Sequence, residues 1–184
     1  PDLVLVSDFG TSQMYWNNGN GTFTESTDAS GMGLDENGMG VAIVDYDQDG
    51  KLDIFITSIY DRFSNVRDGT HTGNKLYKNL GNRRFRESAT EARVARTDWG
   101  WGASFFEYDN DGDPDLIVTN GSIVSAGTNP DTNPYVDAVD DPTTLLVKQS
   151  DGTFINKTIG SGINDRKLGK AIVVFDYEKD GDED

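Results

Sequence analysis

The sequence predicts an all-β fold of repeated sheets built from short antiparallel strands, and three observations carry that expectation. A nine-residue acidic stretch occurs three times, a β-hairpin pattern precedes each copy at a fixed distance, and a glycine-marked apolar strand leads into each copy. Helix signals are nearly absent, and Gly is 21 of 184 residues, above the ~7% norm of soluble proteins.

The acidic stretch is Asp45-Tyr46-Asp47-Gln48-Asp49-Gly50-Lys51-Leu52-Asp53, which returns as EYDNDGDPD at residues 107–115 and DYEKDGDED at residues 176–184. Each copy sets carboxylates at loop positions 1, 3, 5 and 9 and Gly at position 6. Like charges about 4 Å apart repel by ~4 kcal/mol at an effective dielectric near 20, so a compact loop of this composition needs a cation at its centre. The donors are hard oxygens without His or Cys, which selects calcium over zinc or copper. Room for six or more oxygens, a position-7 carbonyl among them, selects it over magnesium. One calcium per complete loop is expected, three in all. The first set is Asp45, Asp47, Asp49, Asp53 and the Lys51 carbonyl; the second is Glu107, Asp109, Asp111, Asp115 and the Asp113 carbonyl. The third is Asp176, Glu178, Asp180, Asp184 and the Asp182 carbonyl. Gly at position 6 supplies the sharp turn around the ion.

An EF-hand loop also opens D-x-D-x-D-G, but it ends in a bidentate Glu at position 12 and enters a helix. Here position 12 is Ile56 or Val118, inside the runs Leu52-Asp53-Ile54-Phe55-Ile56 and Asp115-Leu116-Ile117-Val118. Such apolar, β-branched runs read as buried strands, so the loop sits in a β-hairpin. A solvated acidic turn is the bland alternative for one copy; three copies in register argue against it.

In chain order, Pro1-Asp2-Leu3-Val4-Leu5-Val6 matches Pro114-Asp115-Leu116-Ile117-Val118, which makes Asp2 an orphan ninth ligand. Met14 to Phe23 is a hairpin around an Asn/Gly turn; it returns from Leu76 to Phe85 and, less faithfully, from Leu145 to Phe154. From the hairpin Phe to the final loop Asp is 30 positions in every copy, Phe23 to Asp53, Phe85 to Asp115 and Phe154 to Asp184. That fixed phase divides the array into the end of a preceding unit (1–13), units at 14–53, 76–115 and 145–184, and inserts at 54–75 and 116–144. Before each loop stands a strand with small residues at fixed places: Gly38 and Gly40, Gly100 and Gly102, Gly169 and Ala171. Paired glycines in a strand mark close backbone approach, as where inner strands crowd an axis. Four short strands per unit, repeated radially, are the blades of a β-propeller; a stacked β-solenoid-like array is the alternative.

Lys+Arg is 16 and Asp+Glu is 32, a formal charge of −16 that excludes nucleic acid or an anionic membrane surface as direct partner. Three divalent ions would leave about −10. Cys is absent, which neither demands nor excludes an oxidising compartment. Loops of this kind fit millimolar extracellular calcium, so a secreted or cell-surface location is expected. No transmembrane run occurs in these residues, and membrane insertion is not expected.

Several conspicuous residues read blandly. His71 is an exposed loop residue; Arg83, Arg84 and Arg86 are the solvated face and turn of a hairpin. Trp99 and Trp101 pack neighbouring blades in preference to forming a sugar platform. Asn20, Asn120 and Asn156 open glycosylation acceptor patterns. The segments 57–74 and 119–144, rich in Asn, Asp, Gly, Thr and Pro, vary in length between repeats. Long loops on a rigid scaffold are where binding resides, and drift in an unused loop is the competing reading.

With G-x-G-A ahead of D-x-D-x-D-G-x-x-D, the segment WGWGASFFEYDNDGDPDLIV resembles the integrin-type FG-GAP repeat, also called the VCBS repeat. The hairpin LYKNLGNRRFRES and Asn120-Gly121 look closest to secreted proteins with cartilage-acidic-protein-like repeats. The resemblance covers essentially the whole chain and implies a propeller, usually of about seven blades, with calcium loops on one face. Three positions depart from the pattern: Glu107, Glu178 and Ala171, the first two expected to alter geometry or affinity in their loops. The expected function is a non-catalytic, calcium-binding extracellular interaction module, adhesion-like, that contacts a protein or glycan through 57–74 and 119–144. The alternatives are a structural subunit of an extracellular assembly or filament, and a propeller polysaccharide lyase, for which no base and neutralising pair is evident. Because residues 1–6 form a strand without its loop and Asp184 closes a loop without its strand, a portion of a larger chain is expected. Head-to-tail self-association, with Leu3 to Val6 completing the sheet beyond Asp184 of another copy, is the alternative.

Overall fold

A computed structural model describes residues 1–60, 72–122, 140–179 and 181. His71 and most of the two variable segments lie outside the described residues, as do Asp180, Asp182 and Asp184. The fold is all-β, with three antiparallel sheets among the described residues. The first holds β1 (Leu3–Leu5), β2 (Gln13–Asn17) and β3 (Phe23–Glu25) in sequential order. The second is β4 (Val41–Val44), β5 (Asp53–Ile56), β6 (Lys75–Gly81) and β7 (Arg84–Glu87); the third is β8 (Gly100–Phe106), β9 (Asp115–Asn120), β10 (Thr144–Lys148) and β11 (Phe154–Asn156). A single helical turn, α1 (Thr27–Ser30), follows β3 and ends at Gly31, whose left-handed φ of 84° only Gly adopts without strain. Among the described residues no helix is long and apolar enough to cross a membrane.

Consecutive antiparallel order in separate four-stranded meanders is the build of propeller blades, not of a solenoid. The sheets are phased differently from the sequence units. Each four-stranded sheet begins on the glycine-marked strand, passes through the acidic loop and ends on the following hairpin, so the sheet spanning 41–87 joins the end of one unit to the start of the next. Ladder pairing decides this: Ile54 pairs with Tyr77, and Leu116 with Leu146. Residues 169–175, expected to form a third inner strand, carry no ladder and leave Val173 and Phe175 exposed. Their counterparts β4 and β8 are laddered to the strand after the ninth-position Asp, β5 and β9.

The core lies between sheets. β5 is buried at all four positions, with Ile54 and Ile56 packed against Met14, Trp16, Tyr77 and Phe85 on one side. Phe55, pointing the other way at the strand period of two, packs with Leu76, Leu116, Val118 and Phe154. Trp16 stacks on Phe85 with ring centroids 6.2 Å apart, and Phe105 meets Phe55 edge-on at 6.0 Å. Where inner strands meet, side chains give way to backbone. A Cβ on Gly40 would lie 2.1 Å from the Trp101 carbonyl oxygen, and one on Gly102 2.7 Å from the Ala171 Cα. Thr57 fills the joint: its hydroxyl donates to the Trp101 carbonyl at 2.5 Å and accepts the Gly40 N–H at 2.8 Å. Thr119 repeats the second contact, accepting the Gly102 N–H at 2.9 Å.

Gly40→Ala is therefore expected to cost about 1–3 kcal/mol, the range for forcing extra volume into a packed joint. Urea denaturation measures it, and an unchanged midpoint would contradict so close an approach.

Candidate metal centre

The first two acidic loops are each pinned at the base by a ladder pair, Val44 with Asp53 in the first and Phe106 with Asp115 in the second. Between these pairs the backbone turns left-handed twice. Positions 4 and 6 have φ of 57° and 84° at Gln48 and Gly50, 59° and 89° at Asn110 and Gly112, and 62° and 102° at Lys179 and Gly181. At these two positions the three loops thus share one backbone turn. Side chains at position 4 accept left-handed strain in all three, as ligand-holding loops do.

The position-1 carboxylate fastens this turn from inside. Asp45 accepts the N–H groups of Asp49 at 3.0 Å and Gly50 at 2.8 Å; Glu107 accepts those of Asp111 at 3.1 Å and Gly112 at 2.8 Å. Asp176 takes the N–H of Lys179, and that of Gly181 at 3.0 Å. The longer Glu107 therefore makes the same clamp as Asp45. Glu178 also has interaction partners in the structure.

Carboxylate oxygens of Asp45, Asp47 and Asp49 lie within 4.8 Å of one another, and so do those of Glu107, Asp109 and Asp115. Asp53 and Asp111 stand outside these groups. Asp111 accepts the Asp113 N–H at 3.0 Å, and Asp49 accepts that of Lys51 at 3.1 Å. Asp53 has both oxygens engaged by backbone: Tyr46 donates at 3.2 Å and Asn79 at 2.7 Å. Asp115 does the same with Tyr108 at 3.1 Å and Lys148 at 2.7 Å, and Asp2 accepts the Asn17 N–H at 2.8 Å. The ninth position thus braces the loop against the next hairpin, a role that ligand counting does not suggest. Its sequence signal is the recurrent hairpin Asn: Asn17 and Asn79 also donate their side-chain amides to the carbonyls of Pro1 and Leu52, just before the ninth Asp.

Electrostatics favour a cation. Burial pushes both Asp53 and Asp115 up to about 6, with the neighbouring loop carboxylates adding to the rise. Asp47 Oδ1 is buried with no hydrogen-bond partner, while Oδ2 pairs with the Lys78 ammonium. Lys51, 2.8 Å from Asp49 Oδ2, holds Asp49 below the usual carboxylate range. In the second loop Lys148 lies 2.9 Å from Asp113 Oδ1. An orphaned anionic oxygen among converging hard donors fits a calcium-like ion. Gln48 Nε2 donates to the Gly112 carbonyl at 2.5 Å, so the two loops also touch.

The family model described as FG-GAP-like repeat matches residues 1–56 and again 61–118, more than half of the chain. The chain belongs to the FG-GAP-like repeat family. Each matched FG-GAP-like segment ends in the strand that follows an acidic loop. No curated protein matches the chain. The FG-GAP-like glycines are flanked as expected by aromatic blade contacts: Trp99 Nε1 donates to Met39 Sδ, while Trp101 Nε1 donates to the Gly121 carbonyl at 2.6 Å under the Lys170 ammonium. Arg83 covers the Trp16 ring, and Arg86 pairs with Glu91 at 2.6 Å. Of the acceptor asparagines, Asn20 and Asn156 are exposed whereas Asn120 is wholly buried.

In metal-free buffer, Asp53→Ala is expected to cost about 2–4 kcal/mol because it orphans two backbone N–H groups. Asp49→Ala, at an exposed loop position, should cost under about 1 kcal/mol. Chemical denaturation of the two variants in chelator checks the ranking.

Proposed function

We propose that this chain is a calcium-binding, non-catalytic extracellular interaction module in which calcium stiffens propeller blades that present a contact surface to a protein or glycan. FG-GAP-like repeats occur in extracellular interaction and adhesion-type domains and are generally non-catalytic. The observation that carries the calcium reading is the convergence of Asp45, Asp47 and Asp49 around an orphaned buried oxygen, matched by Glu107, Asp109 and Asp115. The shared turn extends the reading to the third loop, with Asp176 in the place of Asp45. Secretion follows from the millimolar affinity range such loops suit. The hairpin sequence favours relatives with cartilage-acidic-protein-like repeats.

The proposed contact surface lies apart from the proposed metal. The acidic loop joins β4 to β5, and the connection from β5 to β6 leaves from the opposite end of the strands. The segments 57–74 and 119–144 are the proposed partner sites, and both spring from that far end. The described base of the first is held firmly, with Ile59 bridged to Trp99 and Tyr60 to Thr72.

Calcium in excess should raise the melting temperature, since a ligand at 100 times its Kd adds about 2.7 kcal/mol per site. Chelator should reverse the rise, magnesium should give less, and Asp49→Ala should remove one site alone. Calorimetry with calcium at millimolar concentration measures this; no heat and no thermal shift would overturn the reading.

A further inference from the structure

Two lysines on neighbouring blades treat their acidic loops differently. Lys78, on β6, reaches down to the first loop, where its ammonium pairs with Asp47 Oδ2 and lies 4.0 Å from Asp49 Oδ2. Those are two of the three clustered carboxylates of that loop. Lys148, on β10, lies 2.9 Å from Asp113 Oδ1. Asp113 is not in the group Glu107, Asp109 and Asp115, and its expected contribution to a metal is its backbone carbonyl. One lysine neutralises ligands, the other a bystander.

The register of the sheets shows why. The residue whose N–H meets the ninth-position Asp is Asn17, Asn79 or Lys148, so the residue before it is Trp16, Lys78 or Val147. Lys78 therefore occupies a place that is apolar in both neighbouring sheets. No ammonium reaches the second loop from that place, because Val147 stands there. Lys78 is held by its strand, paired with Arg86 across the β6–β7 ladder, and is not a free surface side chain chosen by the loop.

We propose that Lys78 is a tethered cation that weakens calcium binding at the first loop, so that the second loop fills at lower calcium and the first fills after it. This rests on the calcium reading of the loops. A divalent ion arriving among Asp45, Asp47 and Asp49 either sits beside a fixed positive charge or expels it; both oppose binding. An expelled ammonium has somewhere to go. Lys78 borders a crevice of about 230 Å³ between the second and third blades, lined also by Asp151 and by Glu91, the partner of Arg86. Lys51 also pairs with Asp49, but its side chain is more exposed than that of Lys78, 40% against 27%, and solvent screens it more. Lys78 is thus the less screened of the two cations on the first loop.

The test follows the backbone amides of Gly50 and Gly112 by nitrogen-15 NMR during a calcium titration, since each donates to the position-1 carboxylate of its own loop. In the wild type the Gly112 resonance should move at lower calcium than that of Gly50. Lys78→Met should lower the Gly50 midpoint about tenfold or more and leave Gly112 in place. Lys78→Arg, which keeps the charge, should preserve the wild-type order; Lys78→Gln carries the expectation of the methionine variant if that variant does not fold. Equal midpoints in the wild type, or a Gly50 midpoint unmoved by removing the charge, would overturn the inference while leaving calcium binding intact. If neither amide responds to millimolar calcium, the calcium reading fails, and this inference with it.

Discussion

A buried carboxylate at the ninth loop position is the constraint on which each blade depends. Asp53 is fully buried, and an anion so placed is tolerated only with its oxygens satisfied. Its two donors are the Tyr46 N–H, just past the end of β4, and the Asn79 N–H, in the outer hairpin. One side chain therefore fixes where the loop starts, where β5 begins and how β6 lies beside it. Asp115 repeats the arrangement with Tyr108 and Lys148, and Asp2 holds Asn17. Only once these ends are fixed can positions 1, 3 and 5 converge.

Blade packing supplies the other half of the fold. β5 is buried on both faces, so its side chains cannot alternate between core and water and must instead divide between two neighbouring sheets. That demands that the inner strands approach closely. Gly40 and Gly102 remove the Cβ that would strike the neighbouring backbone at Trp101 and Ala171, and Thr57 bridges the first gap with its hydroxyl. Polar and apolar contributions are inseparable here: the threonine satisfies backbone groups at a joint too narrow for water, while the aromatic rings of Phe55, Phe105 and Phe154 fill the wider space behind.

Much of this was legible in the residues. The carboxylate spacing announced the loop, Gly at position 6 its left-handed turn, and the paired glycines the close approach, because each is a local requirement written in residue type. The blade boundaries were not, since a fixed sequence period is compatible with any phase and only ladder pairing, Ile54 with Tyr77, chooses one. Nor was the second duty of Asp53 legible. A ninth-position carboxylate reads equally as ligand or brace until its oxygens are seen to meet the Tyr46 and Asn79 amides. Lys78 was hidden for a similar reason, being distant in sequence from Asp47 and brought to it by the pairing of β5 with β6.

The same geometry bears on the proposed function, in which calcium at a loop stiffens the strand whose far end leads into a variable segment. From Asp53 to Thr57 the chain climbs four residues of strand, about 13 Å at ~3.3 Å per residue. Over that length every side chain is buried, so the strand cannot bend without disturbing the cores on both sides. At its lower end the strand is clamped by the loop; at its upper end Thr57 donates to the Trp101 carbonyl of the next blade, and the chain then enters the variable segment at 57–74. A cation that tightens the loop acts on the lower clamp of a rigid element whose upper end carries the segment. Under the proposed function the acidic loops and the variable segments answer to different demands at opposite ends of the strands, which is how three nearly identical loops can accompany connections of such unequal length.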